Sequence, residues 1–415
     1  MHILMSLVGI AVLLGIAVLL SDNRRAIRLR TVGGAFAIQF FLGAFILYVP
    51  VGQEVLGQVS NVVSGVINYA NTGISFVFGE LANFDKVGLV FAIHVLPIII
   101  FFSALVAVLY YFGIMQIVVA VLGGALQKVL GTSRTESLSG TANVFVGMTE
   151  APLVVRPYIK HMTQSELFAV MVGGLASVAG SVLAGYAAMG VDLKFLIAAS
   201  FMAAPGGLLM AKIIKPETET PTEKSVEGED EEKPANVIDA AASGASSGLK
   251  LAANIGAMLL AFIGLINLLN AILGATGGWF GYPELTMQLI LGYIFSPLAF
   301  LIGIPWSEAV TAGSFIGQKL ILNEFVAFMD FANYIDVAKA SEAGVQVISE
   351  HSRAIITFAL CGFANFTSIA MLLGGLGMMA PNRRPDIARM GMKAVAAGTL
   401  SNLMSATMAG LFLAL

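Results

Sequence analysis

Apolar runs of about twenty residues recur along the whole chain, and they restrict its possible folds more than any other feature. Residues 4–20, 31–51, 87–112 and 193–214 are four of them. A helix needs about 20 residues to cross a hydrocarbon core of about 30 Å. Inside lipid every backbone N–H and C=O must find a partner within its own segment, so such runs are read as helices. The charged fraction of 11% agrees, since a soluble domain carries about 25%. The sequence therefore predicts an all-α integral membrane protein with about ten spanning or half-spanning segments.

Several function classes fall away on composition. A net charge of -3 gives no case for nucleic-acid binding. Cys361 stands alone, which excludes a disulfide framework and a CxxC metal site. His2, His94, His161 and His351 are scattered, so no His/Cys cluster forms in sequence. The run 4–20 lacks a charged leader and a small-residue cleavage site, and is read as a first spanning helix rather than a signal peptide.

Positive charge sets the orientation. Arg24, Arg25, Arg28 and Arg30 follow the first run and belong in the cytoplasm. Residues 53–81 have helical periodicity with one polar face, which suits a helix lying in the interface plane. Residues 132–159 are flanked by Arg134, Arg156 and Lys160, so both ends of that segment belong on the cytoplasmic side. Each half has about a dozen residues, roughly 18 Å of helix, and cannot cross alone. A re-entrant helical hairpin with its tip at 147–150 satisfies both conditions. Gly147 and Pro152 interrupt the helix there, and Asn143, Thr149 and Glu150 bring an amide, a hydroxyl and a carboxylate. A carboxylate at membrane depth costs about 2.5–3.5 kcal/mol and marks a functional position; the alternative is a solvated Glu150 on a polar loop.

The pattern then repeats. The helix at 167–189 is broken at 176–181, residues 307–334 form two short halves meeting at Leu322-Asn323-Glu324, and the helix at 354–378 is broken at 362–368. The acidic stretch 215–234 is the boundary between the two halves. Eight crossings starting outside place Arg24, Arg156, Lys215 and Arg383 in the cytoplasm, with the second hairpin entering from the opposite face. Two hairpins and two broken helices in opposite orientations form the inverted repeat of secondary transporters. The glycine pairs at 173–174 and 374–375 are expected to let helices approach closely.

Tips and breaks together supply Asn143, Thr149, Glu150, Ser177, Asn323, Glu324, Asn365 and Ser368, with Phe363 as an aromatic face. Carboxylates and amides suit the hydroxyls of a neutral solute, and Phe363 suits a heteroaromatic ring. No Arg or Lys lies in either tip, which disfavours an anionic substrate. Asn143, Ser177 and the carbonyls of Val146 and Val178 offer oxygens for a small hard cation.

Residues 143–152, Asn323-Glu324-Phe325 and Cys361-Gly362-Phe363-Ala364-Asn365 make the chain resemble the concentrative nucleoside transporters over essentially its whole length. The resemblance implies a sodium-coupled nucleoside symporter of the bacterial inner membrane. It would be a homotrimer with eight transmembrane helices, two re-entrant hairpins, an elevator-type transport domain, both termini periplasmic and no cofactor beyond the coupling ion. By similarity Met148, Thr149, Glu150 and Val182 face the nucleobase. Glu324, Asn365 and Ser368 hold the ribose, Phe363 lines the base, and sodium sits on Asn143, Val146, Ser177 and Val178. Met148 stands where the family usually carries glutamine; a thioether cannot make paired amide hydrogen bonds, which leaves purine or pyrimidine preference open.

The same resemblance divides the chain. Residues 1–112 give the N-terminal and interfacial helices of a scaffold, and 113–214 the first hairpin and broken helix. An acidic cytoplasmic loop at 215–235 precedes the scaffold helix and interfacial segment at 236–304. Residues 305–380 hold the second hairpin and broken helix, and 381–415 the last transmembrane helix. Coupling to protons, or carriage of another neutral polar solute, are the alternatives. An intramembrane enzyme using Glu150 and Glu324 lacks a nucleophile or metal beside them, and a channel would need a polar lining along whole helices rather than polarity at mid-depth.

Overall fold

The computed structural model describes residues 2–221 and 234–415, and all regular structure among them is helical. Residues 222–233 of the expected acidic loop lie outside the described residues. Helices of eight residues or more are numbered in chain order. The N-terminal part holds α1 (His2–Leu19), α2 (Leu29–Leu47), α3 (Pro50–Phe78), α4 (Leu96–Tyr111) and α5 (Ile114–Leu130). Next come α6 (Arg134–Ala142), α7 (Gln164–Ala176), α8 (Gly180–Ala188) and α9 (Leu193–Ile214). The second part holds α10 (Val237–Gly278), α11 (Met287–Leu301), α12 (Trp306–Ile321), α13 (Glu324–Phe331), α14 (Glu350–Leu360), α15 (Ser368–Met379) and α16 (Arg384–Leu413).

Burial separates an inner bundle from a periphery. In α9 and in the pair α7–α8, 94% of the apolar window is buried, and in α16 89%, against 22% in α2 and 17% in α10. An apolar helix that leaves most of its surface open to its surroundings is soluble only in lipid or against another chain. Among the described residues six helical segments, counting the pair α7–α8 as one, are long and apolar enough to cross a membrane, and the protein is a multi-pass membrane protein. α10, with 42 residues, extends about 63 Å, roughly twice the hydrocarbon thickness. It lies against α4 through glycine, because a methyl at Gly244 would sit 2.7 Å from the Ser103 carbonyl oxygen. α3 leaves Val55, Val62, Tyr69 and Phe76 exposed at a seven-residue step, an apolar stripe turned away from the fold.

The two hairpins enter from opposite ends. At one end the base of the first hairpin meets the start of α7, where the Thr135 hydroxyl donates to Glu166 at 3.2 Å. Both helices begin with a capping box, Ser133–Glu136 and Thr163–Glu166, so their free N–H groups are satisfied at the same level. The buried Lys212 of α9 pairs with Glu136 and donates to Ser165 at 2.8 Å, tying three elements together. At the other end Ser349, before α14, donates to Glu308 of α12 at 2.8 Å, and Lys339 donates to the Met189 carbonyl beyond α8 at 3.2 Å. The chain then returns through α14 and α15 to the first end, where Arg383 donates to the Met162 carbonyl at 2.5 Å.

One local expectation is corrected. The return limb of the first hairpin is not a second long half-helix: a 3-10 stretch at Ala151–Val155 leads into a single turn at Arg156–Ile159. Pro152 and Pro157 remove two backbone donors within six residues, which shortens any regular helix there.

Candidate functional site

Four interruptions meet inside the inner bundle. α6 ends at Ala142, and Asn143 to Glu150 form turns before the 3-10 stretch. α7 and α8 are separated by Ser177-Val178-Ala179, α12 and α13 by Leu322-Asn323, and α14 and α15 by residues 361–367. Each break is pinned to a hairpin by its backbone. The Gly180 N–H donates to the Phe145 carbonyl at 3.1 Å, and the Phe366 N–H donates to the Leu320 carbonyl at 3.1 Å. The two breaks are joined directly by the Phe363 N–H, which donates to the Ser177 carbonyl at 3.1 Å.

Glycine brings the first tip close. A methyl at Gly174 would lie 2.8 Å from Cβ of Met148, one at Gly173 3.2 Å from Nδ2 of Asn143, and one at Gly375 3.2 Å from Cγ2 of Thr149. The first tip therefore touches both α7 and α15. Gly374 faces open space and makes no such approach.

Around Ser177 the atoms are oxygens. Asn143 donates through Nδ2 to the Ser139 carbonyl at 2.8 Å, and its buried Oδ1 has no hydrogen-bond donor. Ser177 donates its hydroxyl to the Gly173 carbonyl at 2.9 Å, which leaves that oxygen's lone pairs available. Among the described residues no backbone N–H donates to the carbonyls of Val146 or Val178. A buried amide oxygen without a donor is costly unless something else fills its lone pairs. Oxygen donors with no net charge suit a monovalent hard cation.

The second half is acid, amide and aromatic. Asn365 donates through Nδ2 to Oε2 of Glu324 at 2.9 Å, while its Oδ1 accepts from the Ser368 N–H at 2.9 Å and the Thr367 hydroxyl at 2.6 Å. The Ser368 hydroxyl donates to the Phe363 carbonyl at 2.5 Å. Asn323 is used differently from expectation: its side chain caps α13 by accepting from the Val326 N–H at 2.9 Å. Met148, Val182, Glu324, Phe363, Asn365 and Ser368 are buried, whereas Thr149 and Glu150 are exposed. Glu150 curls over its own turn and accepts the Gly147 N–H at 3.1 Å.

Three residues that sequence reasoning passed over complete the assembly. Lys319 lies in the last turn of α12, buried beside the second tip although outside it, so a basic group sits near the tip that the sequence shows without one. Its ammonium is committed to the Ala359 carbonyl at 2.8 Å and Oδ1 of Asn402 at 2.7 Å. Tyr186 of α8 packs against Phe328 of α13 with tilted rings whose centroids are 4.2 Å apart. Lone polar residues on apolar helices were their only signal in the sequence.

Comparison with known proteins identifies the family. Residues 8–81 match the family model for the N-terminus of Na+ dependent nucleoside transporters, residues 195–410 the model for their C-terminus, and residues 92–192 a model described as a nucleoside recognition gate. The nucleoside permease NupC of Helicobacter pylori is 54% identical over 417 residues, covering 99% of this chain and 98% of that protein. An uncharacterized transporter of Haemophilus influenzae is 63% identical over 417 residues, covering 100% and 99%. CNTnw in an inward-facing substrate-bound state superposes with a TM-score of 0.94 at 60% identity, covering 99% of this chain and 98% of that one. A variant of CNTnw in an outward-facing state gives 0.97 at the same 60% identity, covering 100% and 99%. Relatives and family models alike are transporters and not enzymes. From the geometry and these likenesses together, the chain belongs to the Na+-dependent nucleoside transporter family.

Proposed function

We propose that this chain is a symporter that imports nucleosides with sodium, by an elevator-type movement of the inner bundle against the peripheral helices. The observation that carries the reading is the joint between Ser177 and Phe363, which sets an all-oxygen cluster directly beside an acid, amide and aromatic cluster. Sodium would take Oδ1 of Asn143, the Ser177 hydroxyl and the carbonyls of Val146 and Val178. Glu324, Asn365 and Ser368 would hold ribose hydroxyls, Phe363 and Val182 would pack on the base, and Met148, Thr149 and Glu150 would line its edge.

The moving part would comprise residues 113–214 and 305–380, with the buried α16 packed into it. Residues 1–112 and 236–304 would be the scaffold, 215–235 a cytoplasmic loop, and 381–415 the last of eight membrane crossings. Support for a scaffold comes from the exposed stripe on α3 and the mostly open surface of α10. Their apolar surface suits a homotrimer interface and lipid. The basic residues gathered at one end, among them Arg24, Lys215, Arg383 and Lys393, favour a bacterial inner membrane with that end cytoplasmic and both termini periplasmic.

The energetics suffice. One sodium ion moving through about 100 mV gains about 2.3 kcal/mol, and a tenfold gradient adds about 1.4 kcal/mol. Together these sustain about 500-fold accumulation of a neutral solute. The test is uptake of labelled nucleoside into proteoliposomes with sodium replaced by choline at fixed pH. Saturable uptake that falls at least about tenfold is expected; undiminished uptake that follows a proton gradient would replace sodium by protons, and no saturable uptake would end the reading.

A further inference from the structure

We infer that Asn402, on α16, is a positioning residue that couples the ion half of the site to the nucleoside half. The inference rests on the proposed function, because it concerns how the two halves of that site communicate. α7 ends at Ala176 and α14 at Leu360, both in the buried interior. Helix ends leave carbonyls without intrahelical donors and carry partial negative charge. A single side-chain amide satisfies one at each break: Nδ2 of Asn402 donates to the Ala176 carbonyl at 2.6 Å and to the Cys361 carbonyl at 3.0 Å. Its Oδ1 accepts from the Lys319 ammonium at 2.7 Å.

The partners decide which way this amide faces. Reversed, it would set its oxygen against two carbonyls and its NH2 against an ammonium. The space around it is matched as well, since a Cβ at Gly362 would lie 2.2 Å from Oδ1 of Asn402. Among the described residues Asn402 makes its hydrogen bonds to Ala176, Cys361 and Lys319, and none to the candidate ion ligands or ribose contacts. It bonds the backbone one residue before Ser177 and two residues before Phe363, and through Lys319 it reaches the helix that leads to Glu324.

Fixing the first break by an ion therefore also fixes the second. Phe363 and Asn365 are held in place before the nucleoside arrives, which raises its affinity. Linkage requires the nucleoside to raise ion affinity by the same factor. The direct bond from the Phe363 N–H to the Ser177 carbonyl joins the breaks at one point only; Asn402 makes the joint resist rotation.

Full-length protein in detergent is titrated calorimetrically with adenosine and uridine in saturating sodium and in choline, and with sodium in the presence and absence of nucleoside. The ratio of the two nucleoside dissociation constants measures coupling. Asn402→Asp keeps the size and the Lys319 partner but turns an oxygen toward both helix ends, and the ratio is expected to fall at least about fivefold. A role in stability alone would lower the melting temperature with the ratio unchanged, and that result overturns the inference. Asn402→Ala serves the same comparison without repulsion. Should neither variant yield folded protein, wild-type hydrogen exchange decides: sodium alone must slow exchange of the amides at 361–368, and no slowing overturns the proposal. A wild type that binds nucleoside equally with and without sodium removes the coupling, and one that binds no nucleoside removes the functional reading itself.

Discussion

Met148 and Glu150 sit two positions apart in the first tip and have opposite fates. The thioether is packed into the core with its Cβ against Gly174, while the carboxylate is exposed and bound to the Gly147 N–H. Methionine fills such a gap without a polar atom to satisfy. Met148→Gln would bury an amide and is expected to destabilise the ligand-free protein by about 1–3 kcal/mol. A nucleobase offering its edge to that amide should restore part of the loss. Melting temperatures with and without uridine, adenosine and guanosine, together with competition in uptake, check this; identical profiles in the two proteins would dismiss a role in base selection. The sequence made the candidate residues visible because amides and carboxylates stand out against apolar runs. It did not reveal that Asn323 caps α13 or that Asn143 keeps an unpaired oxygen, since both depend on where donors lie in three dimensions.

Elements meet here through absent side chains. Gly174 admits Met148, and Gly180 admits the Phe145 carbonyl, which would lie 2.9 Å from an added Cβ. Gly180→Ala is expected to push the first tip away from the break it bonds, costing about 1–3 kcal/mol of stability through overpacking. Because Val146 and Val178 flank that contact, sodium affinity should weaken more than nucleoside affinity measured at saturating sodium. Separate titrations of the two ligands check this, and equal losses would count against the ion site. The bounds of Leu193–Ile214 were legible because run length and period are local properties, whereas the run at 87–112 holds its long helix only from Leu96. The return limb of the first hairpin was not, because two prolines and a confined space impose a 3-10 path.

At the scale of the molecule, Asp22 ties the loop after α1 to the inner bundle. It pairs with Lys215, just beyond α9, at 2.9 Å and with Lys393 of α16. Burial pushes the Asp22 carboxyl up, but the Lys393 and Lys215 ammoniums outweigh it and hold the group below its ordinary 3.8. A lowered folded value means that the contribution is complete above the unfolded value and is lost as pH falls through the folded one. Asp22→Asn should therefore lower the melting temperature at neutral pH, with the difference from wild type closing as the medium is acidified well below 3.8. The carboxylate is partly exposed, so the effect is under about 1 kcal/mol; a difference that grows on acidification would contradict this pairing. What the sequence determined by itself was an all-helical membrane protein with two interrupted halves, because apolar run length and helix-breaking residues act within about twenty positions of chain. Only the tertiary structure decided how the halves are joined. Lys319 and Asn402 lie 83 positions apart, and Asn402 and Ala176 lie 226 apart. No local pattern encodes such pairings: they arise when packed helices bring buried donors to the acceptors that water can no longer reach.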